Sequence, residues 1–227
     1  MDVTKISQPD IEILGIRVME PVTAFTDIIV AVACFYAYWK LTKDGRSGKS
    51  ILYMRWYFFS MGLATFFGGM IGHGFLYAFN DYWKLLGWYT SMISVALMER
   101  SAIEYAKPFI KKNIGKFFLV LNVLELITLM VLTTITLHFR IVEFHCVYGL
   151  MFVVFSFHLF TYTKTKDKGS KTILYAVAVL VGAAFVFNYP VVIHTWFNHR
   201  DLAHILMAIG TLVFLKGAQT LQQAQTT

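Results

Sequence analysis

Apolar runs of helix length, separated by short polar breaks, occupy most of the chain. A bilayer crossing takes about 20 apolar residues, and the runs predict seven helices at roughly 20–41, 51–77, 84–104, 117–137, 142–162, 172–189 and 201–220. The breaks at 43–49 and 164–171 are too polar for hydrocarbon. Those at Asn80-Asp81 and around His138-Phe139-Arg140 are thinner. Pro21 falls in the first turn of the first helix, and Pro108 and Pro190 near segment ends, where a missing backbone donor is tolerated.

Composition narrows the picture further. The chain has 227 residues, 57% hydrophobic and only 15% charged, with a mean hydropathy of +0.60, so seven crossings leave no room for a separate soluble domain. The expectation is an all-α, polytopic seven-transmembrane-helix bundle. Residues 1–19 form a short extracytoplasmic tail, 20–220 the transmembrane domain and 221–227 a cytoplasmic tail. The first nineteen residues carry Asp2, Lys5, Asp10, Glu12 and Arg17, not the basic-then-apolar layout of a cleavable signal peptide. Cys34 and Cys146, both in apolar stretches, offer neither a disulfide framework nor a CxxC metal knuckle.

Charge bias orients the bundle. Lys40, Lys43, Arg46 and Lys49, then Lys107, Lys111, Lys112 and Lys116, then Lys164, Lys166, Lys168 and Lys171, with Lys216, make thirteen basic residues on one side against Lys5, Arg17, Lys84, Arg140 and Arg200 on the other. The richer side reads as cytoplasmic, placing the N-terminus outside. The net charge of +7 is then a topology signal and not a nucleic-acid footprint. The expected partners are the bilayer and a lipid substrate; the membrane of residence and the oligomeric state stay open.

With that topology the polar residues sort by depth. Glu20 lies at the outer mouth of the first helix and Asp27 seven residues deeper, about 10 Å at 1.5 Å per residue. Glu20, Thr23 and Asp27 share one helix face at i, i+3, i+7. His73 falls near the outer end of the second helix among Gly68, Gly69, Gly72 and Gly74, small residues that permit close helix approach. Asp201 and His204 open the last helix, with His194 and His199 just before. His138, Glu143 and His145 mark another outer end, while Glu99, Arg100, Glu104, Arg55, Asn122 and Glu125 read as inner-side ion pairs or hydrogen bonds.

Two imidazoles and a carboxylate with one position open to water are the ligand set of a catalytic zinc. His73, His204 and Asp201 make such a set, with His199 as a substitute ligand. Glu20 and Asp27 are the candidate catalytic residues, orienting a histidine or taking the proton of water. Taken singly, each is also what a solvated helix mouth carries. Haem ligation would pair His145 with His158, thirteen residues apart and off a common face, and the chain has no HxxHH or HxxxH box for di-iron chemistry.

These residues resemble the CREST superfamily of seven-helix membrane hydrolases, which includes the alkaline ceramidases and the progestin and adipoQ receptors. The stretch Met19-Glu20-Pro21-Val22-Thr23-Ala24-Phe25-Thr26-Asp27 is similar to the ceramidase branch's first-helix pattern. Gly69-Met70-Ile71-Gly72-His73 is similar to its second-helix Ser-x-x-x-His, and His204-Ile205-Leu206-Met207-Ala208-Ile209-Gly210-Thr211 to the end of its last-helix His-x-x-x-His. The resemblance implies that His73 and His204 ligate zinc, and that zinc-bound water cleaves a lipid amide or ester in an outward-facing cavity. Gly69 stands where that pattern has serine, and Arg200 where it has the first histidine of the pair. Those two substitutions keep a second expectation alive, a non-catalytic receptor or partner subunit that has lost the metal site.

Overall fold

The structure, a computed structural model, describes residues 8–222. Seven helices dominate it: α1 Pro21–Lys43, α2 Lys49–Phe67, α3 Lys84–Ala106, α4 Lys112–Thr136, α5 Phe139–Thr165, α6 Lys168–Asn188 and α7 His199–Thr220. Each matches an expected apolar run, but α4 and α6 begin four or five residues early, inside the basic breaks. Lysine is a good helix former, and its stem lies along apolar surface while the ammonium reaches water, so a lysine-rich break becomes a helix end.

The second run departs most from expectation. Instead of one helix to residue 77, α2 passes at Gly68 into a π-helical turn, Gly68–Gly74, followed by a 3-10 turn at Leu76–Ala78. A second π turn, Gly149–Val154, interrupts α5. Both begin at glycine, and π turns occur frequently at functional sites.

The described part of the expected N-terminal tail is ordered. Strands β1 Ile11–Ile13 and β2 Ile16–Val18 pair antiparallel around Leu14 and Gly15, which both take the positive φ that a tight hairpin requires. Residues 1–7 and 223–227, the remainder of the two expected tails, lie outside the described residues. A second small hairpin, β3 Val192–His194 with β4 Phe197–Asn198, precedes α7.

Five helices, α1 and α4 to α7, are long and apolar enough to cross a membrane, as in a multi-pass membrane protein. The other two are less apolar, α2 holding Lys49 and Arg55 and α3 Lys84, Glu99, Arg100 and Glu104. Helix α3 is the buried one, with Met92, Val95, Ala96, Met98, Glu99, Ala102 and Ile103 inside. By contrast α4 buries only Gly115, Asn122 and Thr133 and exposes Phe117, Val120, Leu124, Ile127, Val131 and Ile135, an apolar face of the kind lipid contacts. The main core joins Leu41, Met54, Phe58, Met98, Ile173 and Phe214 from α1, α2, α3, α6 and α7.

Hydrogen bonds close the lysine-rich end. Arg46 donates to the carbonyls of Gln219, at 2.7 Å, and Leu221, and Asp167 caps α6 by accepting from the Gly169 and Ser170 amides. Lys107 pairs with Glu104 at 2.8 Å. Arg100 donates to the Leu119 carbonyl and to Asn122, both at 3.3 Å. Glu125 pairs with His145, at 3.0 Å, and not with these basic residues.

Candidate functional site

At the opposite end, the first turns of α1 and α7 meet the π turn that follows α2. Glycine makes that meeting possible. A Cβ on Gly69 would lie 2.9 Å from both the Ala24 carbonyl oxygen and Asp27 Cβ, and one on Gly68 3.3 Å from Asp27 Oδ2. The Met19 amide donates to the Gly74 carbonyl at 2.9 Å, tying the end of β2 to the same turn. His73 is thereby brought against α1.

Four of the six residues singled out from the sequence converge here. His73 Nδ1 lies 2.6 Å from Glu20 Oε2, and its Nε2 3.8 Å from Asp27 Oδ2. His204 Nε2 lies 3.4 Å from Asp27 Oδ1, and its Nδ1 2.9 Å from Thr26 Oγ1. Asp27 therefore sits between two imidazoles whose ring centroids are 6.3 Å apart. Asp27 and His204 are both buried.

The hydrogen-bond partners determine the tautomers. Burial raises the Glu20 carboxyl, but the hydrogen bond from His73 and the nearby Arg200 guanidinium outweigh it and hold the group below its ordinary value of 4.5. Glu20 is therefore ionised at neutral pH and can only accept, so His73 Nδ1 carries the hydrogen. Thr26 donates its hydroxyl hydrogen to the Thr23 carbonyl at 3.0 Å, so it accepts from His204 Nδ1. In the neutral form of either ring the Nε2 lone pair faces Asp27. Two nitrogen lone pairs and a carboxylate directed at one another form a donor set for a cation.

Asp201 and His199 are placed differently. Asp201 is fully buried, but Oδ1 accepts from the Thr23 hydroxyl at 2.8 Å, and Oδ2 from the Asn198 amide at 2.7 Å and Gln8 Nε2 at 2.8 Å. With Asn198 it forms a reciprocal capping box at the start of α7. The expected ligand role thus gives way to a capping role, because a carboxylate three residues into a helix reaches its own cap first. The His199 ring packs edge-on against Phe187, with no hydrogen bond or ion pair to His73, His204 or Asp27 among the described residues. Neither residue completes the ligand set expected for it.

Three further residues shape the site. Arg200 donates to Glu20 Oε1 at 2.9 Å and Oε2 at 3.3 Å. Thr26, one residue from Asp27, orients His204; its spacing from Thr23 was the available sequence signal. Gln8 had none, standing alone in a polar tail. It is nonetheless buried, accepting from the Val22 and Thr23 amides at 3.0 and 3.2 Å and donating to Asp201 and the Trp196 carbonyl. It caps α1, whose N-cap residue Glu20 turns its side chain to His73 instead.

A second cluster lies within the bundle. Glu99 of α3, Glu125 of α4 and His145 of α5 each offer a ligand atom, all within 4.8 Å of one another, the only such set of three His, Cys, Asp or Glu side chains among the described residues. The outer cluster is wider because the His73 and His204 rings stand apart across Asp27.

The model of a family described as "Family of unknown function (DUF6962)" matches residues 22–223. The chain belongs to that family. The match covers all seven helices but for the first residue of α1, both π turns, and every member of the two clusters except Glu20. No curated protein and no solved structure matches the chain.

Proposed function

We propose that this chain is a seven-span membrane hydrolase of the ceramidase-like kind, N-terminus outside and C-terminus cytoplasmic, cleaving a lipid amide or ester at its outer-end cluster. The observation that supports this is the shared orientation of His73 and His204. Each ring directs Nε2 at Asp27 and is fixed through Nδ1, by Glu20 in one case and Thr26 in the other. This matches the way metal-ligating histidines are held through their second nitrogen.

The donor types, two imidazoles and a carboxylate, suit zinc, which would draw the two rings in around Asp27 and when bound would supply an acidified water and polarise the scissile carbonyl. The residues do the rest. His73, His204 and Asp27 hold the ion, Asp27 taking the place first given to Asp201. Glu20 accepts the His73 hydrogen, and Arg200 neutralises and positions Glu20. The two hairpins, tied to the same elements through Met19, Gln8 and Trp196, border the site. Side chains from α1, the π turn and α7 thus bring a polar centre to the end of an otherwise apolar bundle, where a lipid's headgroup linkage lies.

The test is metal analysis of the purified full chain in detergent, with release of fatty acid from amide and ester lipids in mixed micelles. About one zinc per chain is expected, lost together with turnover in His73→Ala and His204→Ala. Absence of zinc from the native chain, with metal content unchanged in both variants, would refute the reading. The Arg200–Glu20 ion pair supports a second reading, in which a basic residue replaces a ligand and the bundle serves as a receptor or partner subunit. Reproducible capture of a partner without lipid turnover would favour it.

A further inference from the structure

The inner cluster is built with the same logic as the outer one, from residues the proposed hydrolase chemistry does not use. His145 is fully buried, with Nε2 3.0 Å from the Met92 carbonyl oxygen and Nδ1 3.0 Å from Glu125 Oε1. A carbonyl only accepts, so Nε2 carries a hydrogen, and the contact of Nδ1 with Glu125 holds one shared proton, whose loss leaves the Nδ1 lone pair facing the carboxylate. Glu99 is 1% exposed. Its Oε2 accepts from Asn122 Nδ2 at 2.9 Å, and Asn122 is itself held by Arg100. Glu99 Oε1, although buried, has no hydrogen-bond partner.

The fold makes room for that oxygen deliberately. The π turn of α5 begins at Gly149, where a Cβ would fall 2.3 Å from Glu99 Oε1 and 2.5 Å from Val95 Cγ1. Only glycine lets α5 close over Glu99 at this level. A buried carboxylate oxygen without a partner is costly in an apolar interior. Two such acids together are costlier, since like charges at short range oppose joint ionisation. Displacing the cluster's protons leaves two carboxylates and one neutral imidazole, a charge of minus two that one divalent cation balances.

We propose that Glu99, Glu125 and His145 form a second cation site, inside the helix bundle, that takes a first-row divalent metal through the two carboxylates and His145 Nδ1. The Met92 carbonyl fixes the His145 ring and Asn122 fixes Glu99, as the other nitrogen and oxygen of ligating side chains are commonly held. One imidazole with two carboxylates suits zinc, manganese or ferrous iron better than the all-oxygen set preferred by calcium or magnesium. Glu125 is the member reachable from outside. It lines a groove of ≈ 290 Å³ between α4 and α5 with Leu121, Thr128, Phe144 and Tyr148.

The experiment uses the full chain in detergent carrying His73→Ala and His204→Ala, which remove the outer ligands, beside the native chain. Mn²⁺ and Zn²⁺ are the probes, titrated calorimetrically, and bound Mn²⁺ is examined by pulsed electron paramagnetic resonance for nitrogen coupling. One equivalent is expected in the doubly substituted chain, with an imidazole nitrogen signal. His145→Gln should abolish that signal, and Glu99→Gln, which keeps the acceptor for Asn122, should weaken binding at least about ten-fold. If the doubly substituted chain binds neither ion, or binds both equally after His145→Gln and Glu99→Gln, the cluster only shares protons and the proposal falls. Because the native chain is measured alongside, loss of the outer equivalent and loss of the inner one are read separately.

Discussion

Glu20 shows how much one side chain can be asked to hold. Its backbone is left-handed, φ 39, a conformation that costs a non-glycine residue about 1 kcal/mol or more, and its carboxylate joins His73 to Arg200. Because its folded-state pKa lies below the ordinary 4.5, the stabilisation from those contacts is fully present above that value and is lost as pH falls through the folded one. Acid titration of the native chain should therefore loosen the outer end below about pH 4.5, and Glu20→Gln should remove that acid transition while costing about 2 kcal/mol at neutral pH. Thermal unfolding followed by circular dichroism across pH reads both effects. Gly69 is the second residue with a sharp consequence. Gly69→Ala forces a methyl against the Ala24 carbonyl and Asp27, so a loss of about 1–3 kcal/mol is expected, accompanied, on the proposed function, by loss of metal binding at His73 and His204. An unchanged melting temperature would show that the close approach of α1 and the π turn does not hold in the protein.

Among the elements, the helix starts at the outer end are interdependent. Gln8 caps α1 from a distant tail and also donates to Asp201, which caps α7. Gln8→Ala leaves the Val22 and Thr23 amides without their acceptor, and a loss of about 1–2 kcal/mol is expected. Hydrogen exchange should report it at both α1 and α7; protection lost at α1 alone would separate the two caps. The two π turns belong to this scale as well. A run such as Gly68-Gly69-Met70-Ile71-Gly72-His73-Gly74 signals departure from a regular helix, but periodicity cannot distinguish a frayed end from a widened turn. Those extra half-turns decide that His73 points at α1 and that Gly149 admits Glu99. Depth estimates made by assuming straight helices consequently put His145 at an outer end and Glu99 and Glu125 on the inner side, whereas the bundle packs the three together.

For the molecule as a whole, the test is topology. In a chain whose native cysteines are replaced by alanine, a single cysteine at Ser47 should be labelled by a membrane-impermeant reagent from the lysine-rich face alone, and one at the exposed Asp81, between α2 and α3, from the opposite face alone. Labelling of both from one side would overturn the seven-span reading and place α2 or α3 within the bundle without crossing. Those two helices are the ones not apolar enough to count among the five candidate spans. They remain tenable as inner helices because α3 is covered by its neighbours, so Glu99 meets asparagine and histidine and Glu104 meets lysine, and not lipid.

The number of helices and, except for the end of α2, their bounds to within a few residues were legible in the chain alone, since each depends on local runs of apolar residues. Glu20, Asp27, His73 and His204 could likewise be marked as an outer group by counting rise per residue along each helix. What tertiary structure alone decided was the role of each. Asp201 became a cap because Asn198 and Gln8 reach it, Thr26 came to orient His204, and Glu99, Glu125 and His145 became one cluster because three helices cross there. Hydrogen-bond partners separated by 20 to 190 residues follow from packing and helix widening, and no local pattern of residues encodes which carboxylate a given imidazole will meet.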